Sequence, residues 1–302
     1  MKNSHSFTHA FTALVVTFAA IVSCSLQAAV VFDDNFARTN LNPSDYAGKG
    51  NVWTSSGSGL GSLSIGEGEL RFSRKSTSDS GDFLAIAQFS RMQAFNTATK
   101  GQEKLTLKFD LQINSFLAAG NGSNSVRAGL YSSSTTNRMF VAFGAVEVDG
   151  VAHNALYVTT NQASTAAETR IIGYDTTTKS WADGFDFGIY DTTTAANNKT
   201  GVLSIEITYL DQATTALFTV TTADNKSASI TLSGIAASSW SDSTTSGSIR
   251  IYAPNSGDAS FSVDNLLLTA TASAIPEPAA TAALLGFGCL AIILGCRRLP
   301  RR

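Results

Sequence analysis

Apolar and polar residues alternate one by one along most of this chain. The clearest run is Lys104 to Ile113, where Leu105, Leu107, Phe109, Leu111 and Ile113 are separated by Thr106, Lys108, Asp110 and Gln112. Successive strand side chains point to opposite faces, so a period of two predicts a strand with one buried and one solvated face. Gly201 to Leu210 repeats the pattern, with Leu203, Ile205, Ile207 and Tyr209 on one face. The same reading predicts strands at Val30–Phe36, Glu69–Ser73, Phe83–Phe89, Val126–Tyr131, Met139–Val146, Ala155–Thr160 and Arg170–Tyr174. It continues through Phe185–Tyr190, Ala216–Thr222, Ala228–Leu232, Ser248–Tyr252 and Ser260–Leu268. Gly, Asn, Asp and Ser punctuate these runs, as turns require. No segment among them sustains a helical period. About fourteen strands in succession predict an all-β fold, a single large antiparallel β-sandwich of the jelly-roll kind over residues 29–268.

The two ends break the alternation. Residues 1–28 read as a signal peptide: Lys2 supplies the positive start, Ala10 to Val22 is apolar, and small residues precede a cleavage site after Ala28. That implies the Sec translocon and signal peptidase as partners. Ile21-Val22-Ser23-Cys24 also fits a loose lipoprotein pattern, in which Cys24 would be lipidated. At the other end, residues 269–274 read as a linker. Ala279 to Cys296 is then an apolar run of 18 residues, with Thr281 its one clearly polar side chain. At about 1.5 Å per residue it spans roughly 27 Å, enough for a transmembrane helix. Arg297, Arg298, Arg301 and Arg302 follow it, and such flanks stay on the cytoplasmic side. The expectation is an exported protein, anchored at least transiently in the cytoplasmic membrane, with everything before residue 279 outside.

Pro276-Glu277-Pro278, the short apolar helix and the terminal arginine cluster together resemble a PEP-CTERM sorting signal over residues 275–302. The resemblance implies recognition of the tail by exosortase, a membrane-embedded processing enzyme of exopolysaccharide-producing bacteria. It concerns sorting only and leaves the exposed domain unread.

Composition narrows what that domain does. The chain's three cysteines, Cys24, Cys289 and Cys296, all lie in the terminal segments. The exposed part therefore has no disulfide, thiolate metal site or cysteine nucleophile. Between Ala29 and Ala274 there are 16 Lys and Arg against 22 Asp and Glu, a net charge of −6. Nucleic acid needs a basic stripe, so it is not an expected partner.

The opening Asp33-Asp34-Asn35-Phe36, then Trp53, Gly61-Ser62-Leu63-Ser64-Ile65 and Glu69-Leu70-Arg71-Phe72, resembles concanavalin A-like lectin/glucanase domains. So does the closing Phe261-Ser262-Val263-Asp264-Asn265-Leu266. The resemblance implies first and last strands lying near each other. Glycosidases of that kind carry E-x-D-x-x-E on one strand. Glu147 and Asp149 match, but Ala152 stands at the third position and Asp149-Gly150 reads as a hairpin turn. Glu206 stands alone, His153 is the one histidine of the exposed part, and there is no G-x-S-x-G. No catalytic residue is therefore assigned.

Asp33, Asp34 and Asp264, on the terminal strands, are a candidate set for a structural calcium, which takes oxygen ligands. Sugar binding needs an aromatic face with polar groups beside it. Trp53, Trp181 and Trp240 all lie in polar surroundings. Trp181 is the best placed, with Asp183, Asp186, Tyr174 and Tyr190 as a rim. Tyr174-Asp175-Thr176-Thr177-Thr178 recurs as Tyr190-Asp191-Thr192-Thr193-Thr194, which predicts two alike strand-to-turn junctions. The reading at this point is a non-catalytic surface or extracellular-matrix protein associated with polysaccharide. A secreted glycan hydrolase or lyase and a ligand-free matrix protein stay open.

Overall fold

The computed structural model describes residues 29–41, 53–56, 61–75, 83–90, 104–118, 125–131, 138–162, 165–210, 214–233, 246–253 and 257–271. All lie in one compact unit, Ala29–Ala272. The signal peptide, Cys24, Trp240, Pro276 to Pro278 and the arginine tail fall outside the described residues.

The described strands are β1 (Ala29–Asp34), β2 (Trp53–Ser56), β3 (Gly61–Gly66), β4 (Glu69–Arg74), β5 (Phe83–Ser90), β6 (Lys104–Leu117), β7 (Ser125–Tyr131), β8 (Arg138–Val148) and β9 (Val151–Gln162). They continue as β10 (Thr165–Ile171), β11 (Tyr174–Asp175), β12 (Ser180–Trp181), β13 (Val202–Leu210), β14 (Thr215–Thr222), β15 (Ser227–Leu232), β16 (Ser246–Ala253) and β17 (Asp258–Thr271). One sheet runs β15-β14-β13-β6-β17-β4-β3, with β1 added to β17. The other runs β10-β9-β8-β7-β16-β5-β2, and β11-β12 forms a separate ribbon.

Alternation explains the packing. Leu105, Leu107, Phe109, Leu111 and Ile113 of β6 and Leu203, Ile205, Ile207 and Tyr209 of β13 are all buried in the main core. Their outward neighbours pair across the strands: Lys108 bridges Glu206 at 2.9 Å. Buried residues of both sheets join in that core. Edge-to-face rings cross from one sheet to the other, Phe72 to Phe83 at 6.0 Å and Phe116 to Phe143 at 5.7 Å. Such pairs add about 0.5–1.5 kcal/mol beyond the area they bury.

β17 holds the eight-stranded sheet together. One edge pairs with β6. The other is shared, with β4 on Ala259–Val263 and β1 on Leu266–Ala270. The changeover sits where the register slips between Asp264 and Leu267, with Asn265 at φ 51°. First and last strands are thus paired, as the concanavalin-like resemblance implies. β17 also reaches Thr271, so the first three residues of the expected linker belong to the sheet.

Three local readings change. Trp53 begins strand β2 and is fully buried, between Phe32 and Phe36, rather than lying in a loop. β2 and β3 are strands the alternation did not mark. Phe185–Tyr190 is not a strand and makes a single bridge, His153 to Ile189. Its period of two is real in sequence, but Asp186 Oδ1 accepts the Gly188 amide at 2.9 Å, and Gly184 and Gly188 hold φ of 83° and 86°. The side chain competes with the ladder and the backbone turns instead.

The Asp149-Gly150 hairpin forms as expected, with φ of 49° and 82° between Val148 and Val151. The paired Tyr-Asp-Thr-Thr-Thr segments also behave alike. Asp175 Oδ1 accepts the amides of Thr177 and Thr178, and Asp191 Oδ1 those of Thr193 and Thr194. Both are Asx-type turns.

Candidate functional site

The ribbon β11-β12 brings Tyr174 directly opposite Trp181, with ring centroids 5.0 Å apart. His153 lies 5.6 Å from the same indole. A cleft of about 380 Å³ opens beside them, lined by Tyr174, Asp175, Ser180 and Trp181 and closed by Ala228 and Ile230 of β15. The other expected rim residues go elsewhere. Asp183 bridges Lys226 at 2.6 Å, which holds its carboxyl below the usual range. Asp186 lies 3.6 Å from His153 Nδ1. Tyr190 turns inward: it is buried, packs on Phe116, and its hydroxyl accepts the Ala118 amide at 2.7 Å. It is a core residue, not a rim residue.

The calcium set does not form a cage. Neighbouring strand residues face opposite ways, so Asp33 is exposed while Asp34 is buried. Both Asp34 oxygens are already used, by Arg38, Trp53 Nε1 at 2.8 Å and the Phe36 amide at 2.9 Å. Asp264 sits opposite Asp110 across β6 and β17. Burial first, then the carboxylates of Asp110, Glu69 and Asp34, raise its carboxyl above the usual range. Among the described residues no group of three or more His, Cys, Asp or Glu is placed to hold a metal ion.

The richest chemistry lies on a face the alternation had left as solvated. Three cross-strand rows cover the outer side of the seven-stranded sheet. One row sets Tyr252, Arg127, Ala142 and Tyr157 side by side on β16, β7, β8 and β9. The next sets Arg250, Gly129 and Phe140, and the third Ser248, Tyr131 and Arg138. Tyr131, Phe140 and Ala142 form a small buried cluster apart from the main core, with Tyr157 and Tyr252 half-buried against it. Tyr131 stacks on Phe140 at 6.3 Å and 9°, and Tyr252 lies 5.5 Å from Tyr131.

Three guanidiniums rest on these rings. Arg127 and Arg138 lie 5.5 and 5.4 Å from the Phe140 centroid, and Arg250 lies 5.0 Å from that of Tyr131. Serines in the same strands orient two of them. Arg127 Nε donates to Ser125 Oγ at 2.8 Å and Arg250 Nε to Ser248 Oγ at 3.0 Å. Gly129 makes the floor possible, because a Cβ there would stand 2.2 Å from the Met139 carbonyl oxygen and 2.6 Å from Phe140 Cα. Burial, with the neighbouring Tyr252 phenol adding to it, pushes the Tyr131 hydroxyl far above its usual range. That hydroxyl is buried beside Tyr252 without a hydrogen bond of good geometry. It stays protonated at any ordinary pH.

The sequence carried one signal of this platform. Met139 to Val146 is apolar almost throughout rather than alternating, which marks a strand buried on both faces.

No family model matches the chain, and no curated protein matches it. Solved structures do. Lectin II from Ulex europaeus is 11% identical, covering 81% of this chain and 100% of its own, at a TM-score of 0.46. The winged bean acidic lectin complexed with methyl-α-D-galactose is 9% identical, over 82% and 99%, at 0.48. An alginate lyase from Klebsiella pneumoniae is 10% identical, over 70% and 84%, at 0.42. A likeness of this size carries nothing about ligand or chemistry, which rest on the residues above.

Proposed function

We propose that this is an exported, surface-associated protein whose β-sandwich binds polysaccharide without transforming it. The observation that carries the reading is the platform of Tyr131, Phe140, Tyr157 and Tyr252 ringed by Arg127, Arg138 and Arg250. Half-buried tyrosines give a sugar ring an apolar face to lie on, and guanidinium forks reach its oxygens. Glycoside hydrolysis needs two carboxyl groups flanking the bond. The three rows offer none among the residues named. Tyr131 is held protonated and cannot serve as a base at neutral pH. The glycan hydrolase reading therefore finds no carboxyl pair among these residues.

The Tyr174–Trp181 cleft is the second place a sugar would sit, favoured by its two facing rings. Binding of the full-length protein in neutral detergent to a polysaccharide panel separates the two. Tyr252→Ala is expected to weaken binding about tenfold, the loss of one stacking ring. Trp181→Ala is expected to leave it unchanged. The reverse pattern moves the site to the cleft, and loss in neither variant removes both.

Sorting follows the tail. In this reading the Sec translocon exports the chain, signal peptidase removes residues 1–28, the 279–296 segment halts transfer, and exosortase acts near Pro276-Glu277-Pro278. Deleting those three residues is expected to abolish maturation in a host that has the enzyme, read as retention of a larger species in the membrane fraction. Unchanged maturation and surface location would sink the sorting reading.

A further inference from the structure

Resting on the glycan-binding reading of the seven-stranded sheet, we infer that the polymer it takes is acidic, with carboxylate or sulfate groups spaced along a sugar chain. Charge is scarce and mostly negative in the exposed domain, at a net of −6. Yet three of its arginines converge on this one face. Two of them, Arg127 and Arg138, rest on a single ring, Phe140. Among the described residues no carboxylate forms an ion pair with Arg138 or Arg250. Arg138 Nε is buried with no hydrogen-bond partner.

The layout suits a polymer better than a single anion. Arg127, Arg250 and Arg138 occupy three successive rows on three adjacent strands. Rows on one face are about 6.6 Å apart along a strand, so the positive groups zigzag from β7 to β16 to β8 across the sheet. Tyr252 and Tyr157 lie in the same row as Arg127, one strand away on one flank and two strands away on the other. Aromatic rings to stack sugars and forks to grip anions thus alternate over one surface. A guanidinium whose flat face lies on a ring still presents its N–H edge, the geometry that binds carboxylate in a bidentate pair. The acidic remainder of the domain repels an acidic polymer everywhere else, so approach is directed to this face. Nucleic acid is disfavoured because the positive patch is confined and the surrounding charge is negative.

The test uses the full-length protein in neutral detergent against polygalacturonate, dextran sulfate, neutral dextran, highly methyl-esterified pectin and single-stranded DNA. Polygalacturonate or dextran sulfate is expected to bind with an affinity that falls as salt rises. Preference for the first assigns carboxylate, and preference for the second assigns sulfate. Esterified pectin, whose carboxylates are masked, is expected to bind at least tenfold more weakly than polygalacturonate, the loss of one charge-assisted contact or more. That comparison needs no variant and so no assumption about folding. Arg250→Gln and Arg138→Gln are each expected to weaken acidic-polymer binding about tenfold, and Arg250→Lys not to restore it, since an ammonium lacks the fork. Equal binding of dextran, esterified pectin and polygalacturonate, insensitive to salt, would overturn the acidic assignment and keep the glycan reading. Binding of no polysaccharide by protein with intact near-ultraviolet dichroism would overturn both. Preferential binding of DNA would overturn both in favour of a nucleic-acid face.

Discussion

Asp34→Ala is expected to cost the domain about 3–5 kcal/mol, the range for removing one partner of a buried ion pair. The Asp34 side chain is fully buried and Arg38 is 13% exposed. Arg38 reaches both carboxylate oxygens, the second at 2.7 Å, and also bonds the carbonyls of Asn40 and Leu41. Trp53 Nε1 and the Phe36 amide donate to the same carboxylate. Alanine would remove the carboxylate that this guanidinium, the Trp53 indole N–H and the Phe36 amide share. Trp53→Phe separates the contributions, because it keeps a ring against Phe32 and Phe36 but loses the N–H donor. That variant should lose much less, about 1–3 kcal/mol. Urea unfolding midpoints at unchanged slope give the comparison. A loss below about 1 kcal/mol for Asp34→Ala would show that water replaces the carboxylate without difficulty.

The second large effect is expected at Asn198. Its side chain is completely buried and uses every hydrogen-bonding group it has. Nδ2 donates to the carbonyls of Phe116 and Asp191, both at 2.8 Å. Oδ1 accepts the Asp191 amide at 2.8 Å and Asn154 Nδ2 at 3.1 Å. Phe116 belongs to β6 of the eight-stranded sheet and Asn154 to β9 of the seven-stranded one. One amide therefore ties the 191–198 segment to both sheets. Asn198→Leu keeps volume but orphans these groups, and about 2–4 kcal/mol should be lost. Asp191→Asn changes an exposed turn and should move the melting temperature little. If Asn198→Leu melted with the wild type, the clip would be redundant with the flanking bond from the Thr200 amide to the Ile113 carbonyl.

What was legible in sequence followed from how far apart the cooperating residues lie. β6 and β13 announce themselves because each carries its own alternation. β2 does not, since Trp53-Thr54-Ser55-Ser56 looks polar until Phe32, Asp34 and Phe36 close over the tryptophan. The polarity of neighbouring residues places Trp181 near its cleft and misplaces Trp53. The arginine–tyrosine platform is hidden in the sequence for a different reason. Arg127, Arg138 and Arg250 each sit singly in a strand at an outward position, where a charge is unremarkable. Only the register of β16, β7 and β8 makes them neighbours. Tyr190 failed as a rim residue because its turn faces it inward, and local composition does not specify that.

The place of β17 governs when the domain can exist. A chain emerging N-terminus first delivers β6, β4 and β1 long before their shared neighbour, and β17 is the last described strand. Until Thr271 is available, three strand edges stay open and the eight-stranded sheet is three unconnected pieces. Pairings of such long sequence separation form slowly, and open edges invite pairing with other chains. Closure of the eight-stranded sheet therefore waits on the last described strand.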